Sequence, residues 1–214
     1  MGEKKEKKGF LGKLKDILSG APDTAQSNES EPASPYAPKE KVPNDIEFAQ
    51  RFTESGGHFL FCKSGEEALS NLRNILSEVD SSVIFCPDPK LKDYLKKANF
   101  KIEENSPLPC NVVCTTCEAL VAYTGSIMID GFQTKGLKIS NLPPIHVVWG
   151  YTGQIVENLS AAMSKINNTY RGDERPSQIS TLKGPQAQSV QQAAADPNKG
   201  RVLYLLLLED PITE

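Results

Sequence analysis

The chain has 214 residues, of which 38% are apolar and 24% charged, with a formal net charge of −3. The length supports one sizeable domain with its own core. The longest apolar run, Val202 to Leu208, is far short of the roughly 20 residues a spanning helix needs, so no transmembrane segment is expected. The slightly negative charge gives no reason to expect nucleic acid as a partner.

The Lys-rich start lacks a continuous apolar stretch with a small-residue cleavage site, so no secretory signal is expected. Five cysteines without such a signal fit a reduced, cytoplasmic protein. Within residues 1–20, Phe10, Leu11, Leu14, Ile17 and Leu18 fall on one face of a helix, with lysines off that face and before it. Such a basic amphipathic helix is too short to stand alone in water. It is expected to lie on its own domain or on a partner; weak contact of residues 9–18 with an anionic membrane surface is the other reading. Residues 21–45 carry Pro22, Pro32, Pro35, Pro38 and Pro43 among Ser, Glu and Ala, a flexible-linker composition. The charge divides accordingly: +3 on the first segment, −3 on the linker and −3 on the domain that follows.

Residues 46–214 read as that domain. A helix is predicted from Asp45 to Glu54 with Ile46, Phe48, Ala49 and Phe52 inward, then a strand over His58 to Cys62. Ser64 and Glu67 form a capping-box pattern ahead of a helix whose buried stripe is Ala68, Leu69, Leu72, Ile75, Leu76 and Val79. A strand over Ser82 to Cys86, a helix over Asp88 to Ala98 and strands over Phe100 to Glu103 and Asn111 to Cys114 come next. Thr116 to Ala122 reads as a short helix, Gly125 to Asp130 and Ile145 to Trp149 as strands, and Gly153 to Asn167 as one long helix. A polar stretch then leads to a last strand over Arg201 to Leu208, apolar on both alternating sets of positions and so expected to be covered on both faces. The fold class is α/β, a layered and largely parallel sheet with helices on both faces. Ligands bind such sheets at the carboxyl ends of the strands, which draws attention to the loops after Cys86, Cys114, Asp130 and Trp149.

Cys110, Cys114 and Cys117 have the spacing of an iron–sulfur cluster motif and could supply three zinc ligands. Their Val-rich, strand-like context favours small buried side chains, so no metal and no cofactor are expected. His58 and His146, beside apolar strands, are expected to be packed and hydrogen-bonded. No P-loop, dinucleotide fingerprint, nucleophile elbow or zinc-protease motif is present. The stretch from Thr115 to Met128 sets Glu118 and the turn Thr124-Gly125-Ser126 between apolar strands. The turn could present N–H groups and hydroxyls to an anion, or be a plain turn held by its own hydroxyls.

Cys114-Thr115-x-Cys117-Glu118-x-x-Val121-Ala122-x-Thr124-Gly125-Ser126 resembles the I-T-x-A-D/E-x-x-I-A-x-T-G-T/S segment of the LUD-domain family, whose named member is the lactate-utilisation protein C. Leu142-Pro143-Pro144-Ile145-His146-Val147-Val148 resembles that family's L-P-x-x-H-V-V strand. Gln154-Ile155-Val156 and the helix after it match as well. Gly184-Pro185 falls where the family has G-P-S-R-T-A-D, and the closing apolar strand matches. The chain departs from the pattern after Pro185, where the Ser, Arg and Asp are missing, which makes it a divergent member. The resemblance implies a fold like that of phosphosugar isomerases and CoA transferases. It implies an accessory role in cytoplasmic oxidation of lactate or another small organic acid to pyruvate, beside an iron–sulfur oxidoreductase. By position it carries over Thr115, Glu118, Thr124, Gly125, Ser126, Gly184 and Pro185. The alternative is a stand-alone isomerase- or acyl-transfer-like enzyme on a small anionic substrate, with Glu118 as acid/base and the Thr124-Gly125-Ser126 turn holding the anion. A metal or cluster protein built on the three cysteines is the third reading.

Overall fold

The computed structural model describes residues 42–172, 175–185 and 201–212. The amphipathic segment over residues 1–20 and most of the Pro-rich linker lie outside these residues, as does the divergent stretch after Pro185.

Helix α1 runs Asn44–Glu54 and buries Ile46, Phe48, Ala49 and Phe52, the predicted stripe. Asp45 and Glu47 lie in its first turn and Arg51 in its last, matching the helix dipole, while Glu54 at its end opposes it. Strand β1 (His58–Cys62) leads to α2 (Gly65–Glu78). The Ser64 hydroxyl accepts from Glu67 N–H at 3.2 Å, and the Glu67 carboxylate reaches back to Lys63 N–H at 2.8 Å, one residue earlier than a standard capping box. Next come β2 (Ile84–Phe85), α3 (Pro89–Lys97), β3 (Ile102–Glu103) and β4 (Val112–Thr116). The chain continues through β5 (Ala119–Val121), β6 (Ser126–Asp130), β7 (Ile145–Tyr151), β8 (Ile155–Val156), α4 (Leu159–Thr169), β9 (Ile179–Leu182) and β10 (Val202–Leu208).

The main sheet has six strands in the order β1-β10-β7-β4-β2-β3, and every neighbouring pair is parallel. β10 sits between β1 and β7, with Leu206 opposite Leu60 on one side and Trp149 on the other. Its alternate residues serve two cores, as its two-sided apolar pattern requires. Tyr204, Leu206 and Leu208 pack with α2 and α3. Leu203, Leu205 and Leu207 pack with Phe48 and Phe52 of α1 and with Leu120, Ile127, Ile129 and Leu182. Helices thus lie on both faces, but much of the second face is covered by a second sheet of four strands, β8-β5-β6-β9. In that sheet β6 runs antiparallel to β5 and β9, while β8 runs parallel to β5. α4 covers its far side with Ala162 and Ile166 against Ala119, Val121 and Met128.

The second sheet is where the sequence reading and the structure differ. Residues 119–121, predicted helical, form β5, because three apolar residues satisfy a helical face and a buried strand equally well. The long helix predicted from Gly153 begins only at Leu159. Asn158 caps it by accepting from Ala161 N–H at 3.0 Å, and the preceding Ile155-Val156 pairs as β8. Leu159, the first residue of the helix, is exposed. β9 lies in the stretch read as polar, where Ile179 and Leu182 hold it against β6.

Candidate functional site

All six strands of the main sheet run the same way, so their carboxyl ends open on one edge of the molecule. A cleft of about 1040 Å³ lies there, reached by the loops after β2, β4, β6, β7 and β10. Its floor includes Thr116, Cys117, Glu118, Gln133 and Gln154, and α3 forms one wall with Lys90, Lys96 and Lys97.

Three loop features shape this floor. Asp88, buried after β2, caps α3 by accepting from Lys90 N–H at 3.0 Å and Leu91 N–H at 3.2 Å. Its other oxygen accepts the Thr116 hydroxyl, which ties the end of β4 to the start of α3. Gln154 accepts from Tyr151 N–H at 2.9 Å and donates to the Cys117 carbonyl, locking the end of β7 onto the loop after β4. Asp130, at the end of β6, accepts from Phe132 N–H at 2.8 Å and Gln133 N–H at 3.1 Å, which closes a tight turn.

Glu118 is half-buried in the middle of this arrangement. One carboxyl oxygen accepts from the Gln133 amide at 2.8 Å and from the Tyr170 hydroxyl at 3.0 Å. Asp130 Oδ2 is buried without a hydrogen-bond partner, and Asp130 and Glu118 act on each other electrostatically. Burial pushes the Asp130 carboxyl above its ordinary value. Burial first, and repulsion from Asp130 second, push Glu118 above the ordinary carboxylate range. Burial and the neighbouring Glu118 also push the Tyr170 phenol up, so it remains a donor. Glu118 and Asp130 are thus two carboxyl groups shifted upward by burial, and Glu118, the one that lines the cleft, is placed for proton transfer.

The other residues carried over from the family pattern stand elsewhere, and none of them lines the cleft. Thr115 is fully buried, its hydroxyl bonded to His146 Nε2 at 2.8 Å between β4 and β7. Burial and the Arg201 charge pull His146 down to about 3, so it is neutral and packed, as its apolar strand suggests. His58 is instead exposed on the edge strand, stacked on Tyr204 with ring centroids 4.6 Å apart. The Thr124 and Ser126 hydroxyls bond to each other at 2.5 Å. Gly125, with φ of +58°, is pressed so closely on α1 that a Cβ would lie 2.5 Å from Phe52 N. Gly184 donates to the Ser55 hydroxyl at 3.3 Å, and a Cβ there would meet Ser55 O at 2.4 Å. Pro185 packs on Gly56. The Thr124-Gly125-Ser126 turn and Gly184-Pro185 therefore both brace the end of α1, apart from Glu118.

The five cysteines are buried free thiols. Cys114 faces the core under α2 and α3, whereas Cys110 and Cys117 face the opposite core. Burial pushes the Cys117 thiol up, and it donates to Gln154 at 3.4 Å. Among the described residues no three His, Cys, Asp or Glu side chains are placed to hold a metal ion. Asp130, Gln133 and Tyr170 were not picked out as site residues from the sequence. The loop after Asp130 was flagged by the strand-end rule, but nothing local marks Tyr170, which lies 52 residues from its partner Glu118.

The architecture defines an α/β protein with a ligand-sized cleft at the carboxyl ends of a parallel sheet and a half-buried carboxyl group, Glu118, on the cleft floor. The LUD domain family model matches residues 104–207, which hold Glu118, Asp130, Gln133 and Tyr170, so this stretch of the chain carries a LUD domain. A crystal structure of a DUF162 family protein from Deinococcus radiodurans is similar in fold, with a TM-score of 0.55 and 16% identity, covering 78% of this chain and 99% of that one. No curated protein matches the chain.

Proposed function

We propose that this protein is a cytoplasmic component of the oxidation of lactate, or a related small organic acid, to pyruvate. In this reading it works beside an iron–sulfur oxidoreductase that carries the electrons, while its own cleft handles the organic molecule. The observation that carries the reading is the matched LUD domain, with Glu118 inside it at the edge of a cleft where α/β sheets bind ligands. Absence of a helix long and apolar enough to cross a membrane among the described residues is compatible with it. Co-purification of the tagged chain from its own cells, with growth of a deletion strain on lactate, tests the proposal. Recovery of an iron–sulfur oxidoreductase and a growth defect are expected. Normal growth on lactate with no such protein recovered would sink it.

The upward shift of Glu118 and its place on the cleft lining also favour a second reading, a stand-alone isomerase- or acyl-transfer-like enzyme with Glu118 as its acid/base. Its anion-holding turn would have to be found elsewhere, because Thr124-Gly125-Ser126 is committed to α1. Turnover by the purified chain alone, abolished in Glu118→Gln, distinguishes this reading from the first.

A further inference from the structure

The lining of the cleft mixes two kinds of side chain. Glu118, Gln133 and Gln154 are polar. Leu69 of α2, Leu91 and Tyr94 of α3, Trp149 of β7, Leu208 of β10 and Ile212 beyond it make a continuous apolar wall, all drawn from one core cluster. The Tyr94 and Trp149 rings meet edge to face in that wall, with centroids 5.9 Å apart and planes at 75°.

Trp149 is 2% exposed, and its indole N–H is buried with no acceptor. The indole is a donor only, so no change of tautomer or rotamer role can satisfy it. A ligand atom that accepts from it would make a hydrogen bond that folding leaves unmade. The neighbouring Tyr94 is only half-buried, and its phenol has no hydrogen-bond partner among the described residues. Trp149 stands opposite Thr116 in the sheet, and Glu118 follows two residues later, at most about 7 Å further along the backbone. One small molecule can therefore reach both. Lys165 of α4 acts by its charge on Glu118 and on the Cys117 thiol, so an acid group near Glu118 meets a cation as well as a carboxyl. The cleft volume of about 1040 Å³ stands at the top of the range for cofactor-sized ligands, roughly 300–1,000 Å³, and a three-carbon acid would leave most of it to water.

We infer that the organic acid handled in this cleft carries an aromatic ring with a hydrogen-bond acceptor on it, in place of the methyl group of lactate. The ring packs against Leu69, Leu91 and Tyr94, its acceptor takes the Trp149 indole N–H, and the acid end lies toward Glu118. No hydrogen bond fastens the Tyr94 ring, so it turns aside to admit the acceptor. This inference rests on the cleft being the site that handles the acid, and it names the class of side chain that the acid bears. Burying a ring on this wall removes far more apolar surface from water than burying a methyl group. The acceptor then separates substrates that carry it from those that leave the indole unpaired.

The test is calorimetric titration of the full-length protein with L-lactate, 3-phenyllactate and 3-(4-hydroxyphenyl)lactate. The chain has one tryptophan, so a single indole N–H signal in the NMR spectrum reports binding at this wall. Both aryl acids are expected to bind at least about tenfold more tightly than lactate. The hydroxyphenyl compound should gain a further factor of roughly two to ten over the phenyl one and should move the indole signal. Trp149→Phe keeps an aromatic wall and removes the donor, so it should abolish the second factor and keep the first. Lactate binding as tightly as the aryl acids overturns the inference, and so does the absence of binding by all three. Aryl binding that leaves the indole signal in place overturns it too, as does a preference for the hydroxyphenyl compound that survives in Trp149→Phe. If that variant fails to fold, the affinity order and the indole shift of the wild-type chain still decide. Failure of the iron–sulfur partner or growth test leaves the affinity order untouched, and failure here leaves those two tests standing.

Discussion

Glu118 is the residue whose setting departs furthest from that of an ordinary surface carboxylate. Its folded-state pKa is raised, so the native chain holds a proton that the unfolded chain releases. The stability tied to that proton is present below the unfolded carboxylate range and is lost as pH rises through the raised value of Glu118. Glu118→Gln keeps an oxygen for Gln133 and Tyr170 and removes the titrating group. Thermal unfolding between about pH 4 and pH 8 should show the wild type losing stability relative to Glu118→Gln as pH rises. Parallel curves would show that Glu118 does not hold the extra proton. The sequence reading reached Glu118 through the family pattern and the strand-end rule. It could not reach the proton, because Asp130 and Tyr170 become neighbours only when β6 and the end of α4 fold back on it. Thr115 reads equally well as a ligand hydroxyl, and only its bond to buried His146 shows that it faces the sheet interior.

At the scale of elements, α1 is held in place by two glycine turns. Gly125 and Gly136 both have positive φ, at 58° and 72°, so alanine at either costs the left-handed strain of about 1–2 kcal/mol. They differ in space: a Cβ at Gly136 meets nothing within 4 Å, while at Gly125 it meets the α1 backbone at 2.5 Å. Gly125→Ala should therefore be the more destabilising by roughly 1–3 kcal/mol in chemical denaturation. Equal losses would mean that α1 moves away without cost. The helices were legible because capping residues and apolar spacing agree, as at Ser64 and Asp88. β5, β8 and β9 were not, because strands of two to four residues carry too few positions to separate a period of two from one of 3.6. Their strand state depends on the partners they meet.

Across the whole molecule, β10 joins the two cores. Leu205 and Leu206 are adjacent and fully buried, yet they point into opposite layers. Either substitution by alanine should cost about 2–5 kcal/mol. Because both layers share the β10 backbone, each variant should still unfold in one calorimetric transition, and two separated transitions would show that the layers are independent units. The apolar pattern of residues 202–208 announced a strand covered on both sides from the sequence alone, since local alternation and side-chain volume are written in the order of residues. So were the parallel α/β class, the main helices and the family motif around Glu118. Which candidates meet was decided by the tertiary structure. It gathers Asp130, Gln133 and Tyr170 around Glu118, which lines the cleft, and sends Gly125 and Gly184 to the end of α1. The reason is physical: a side-chain hydrogen bond or a close backbone approach depends on distances of a few ångströms between segments far apart in the chain, and packing of the two sheets sets those distances.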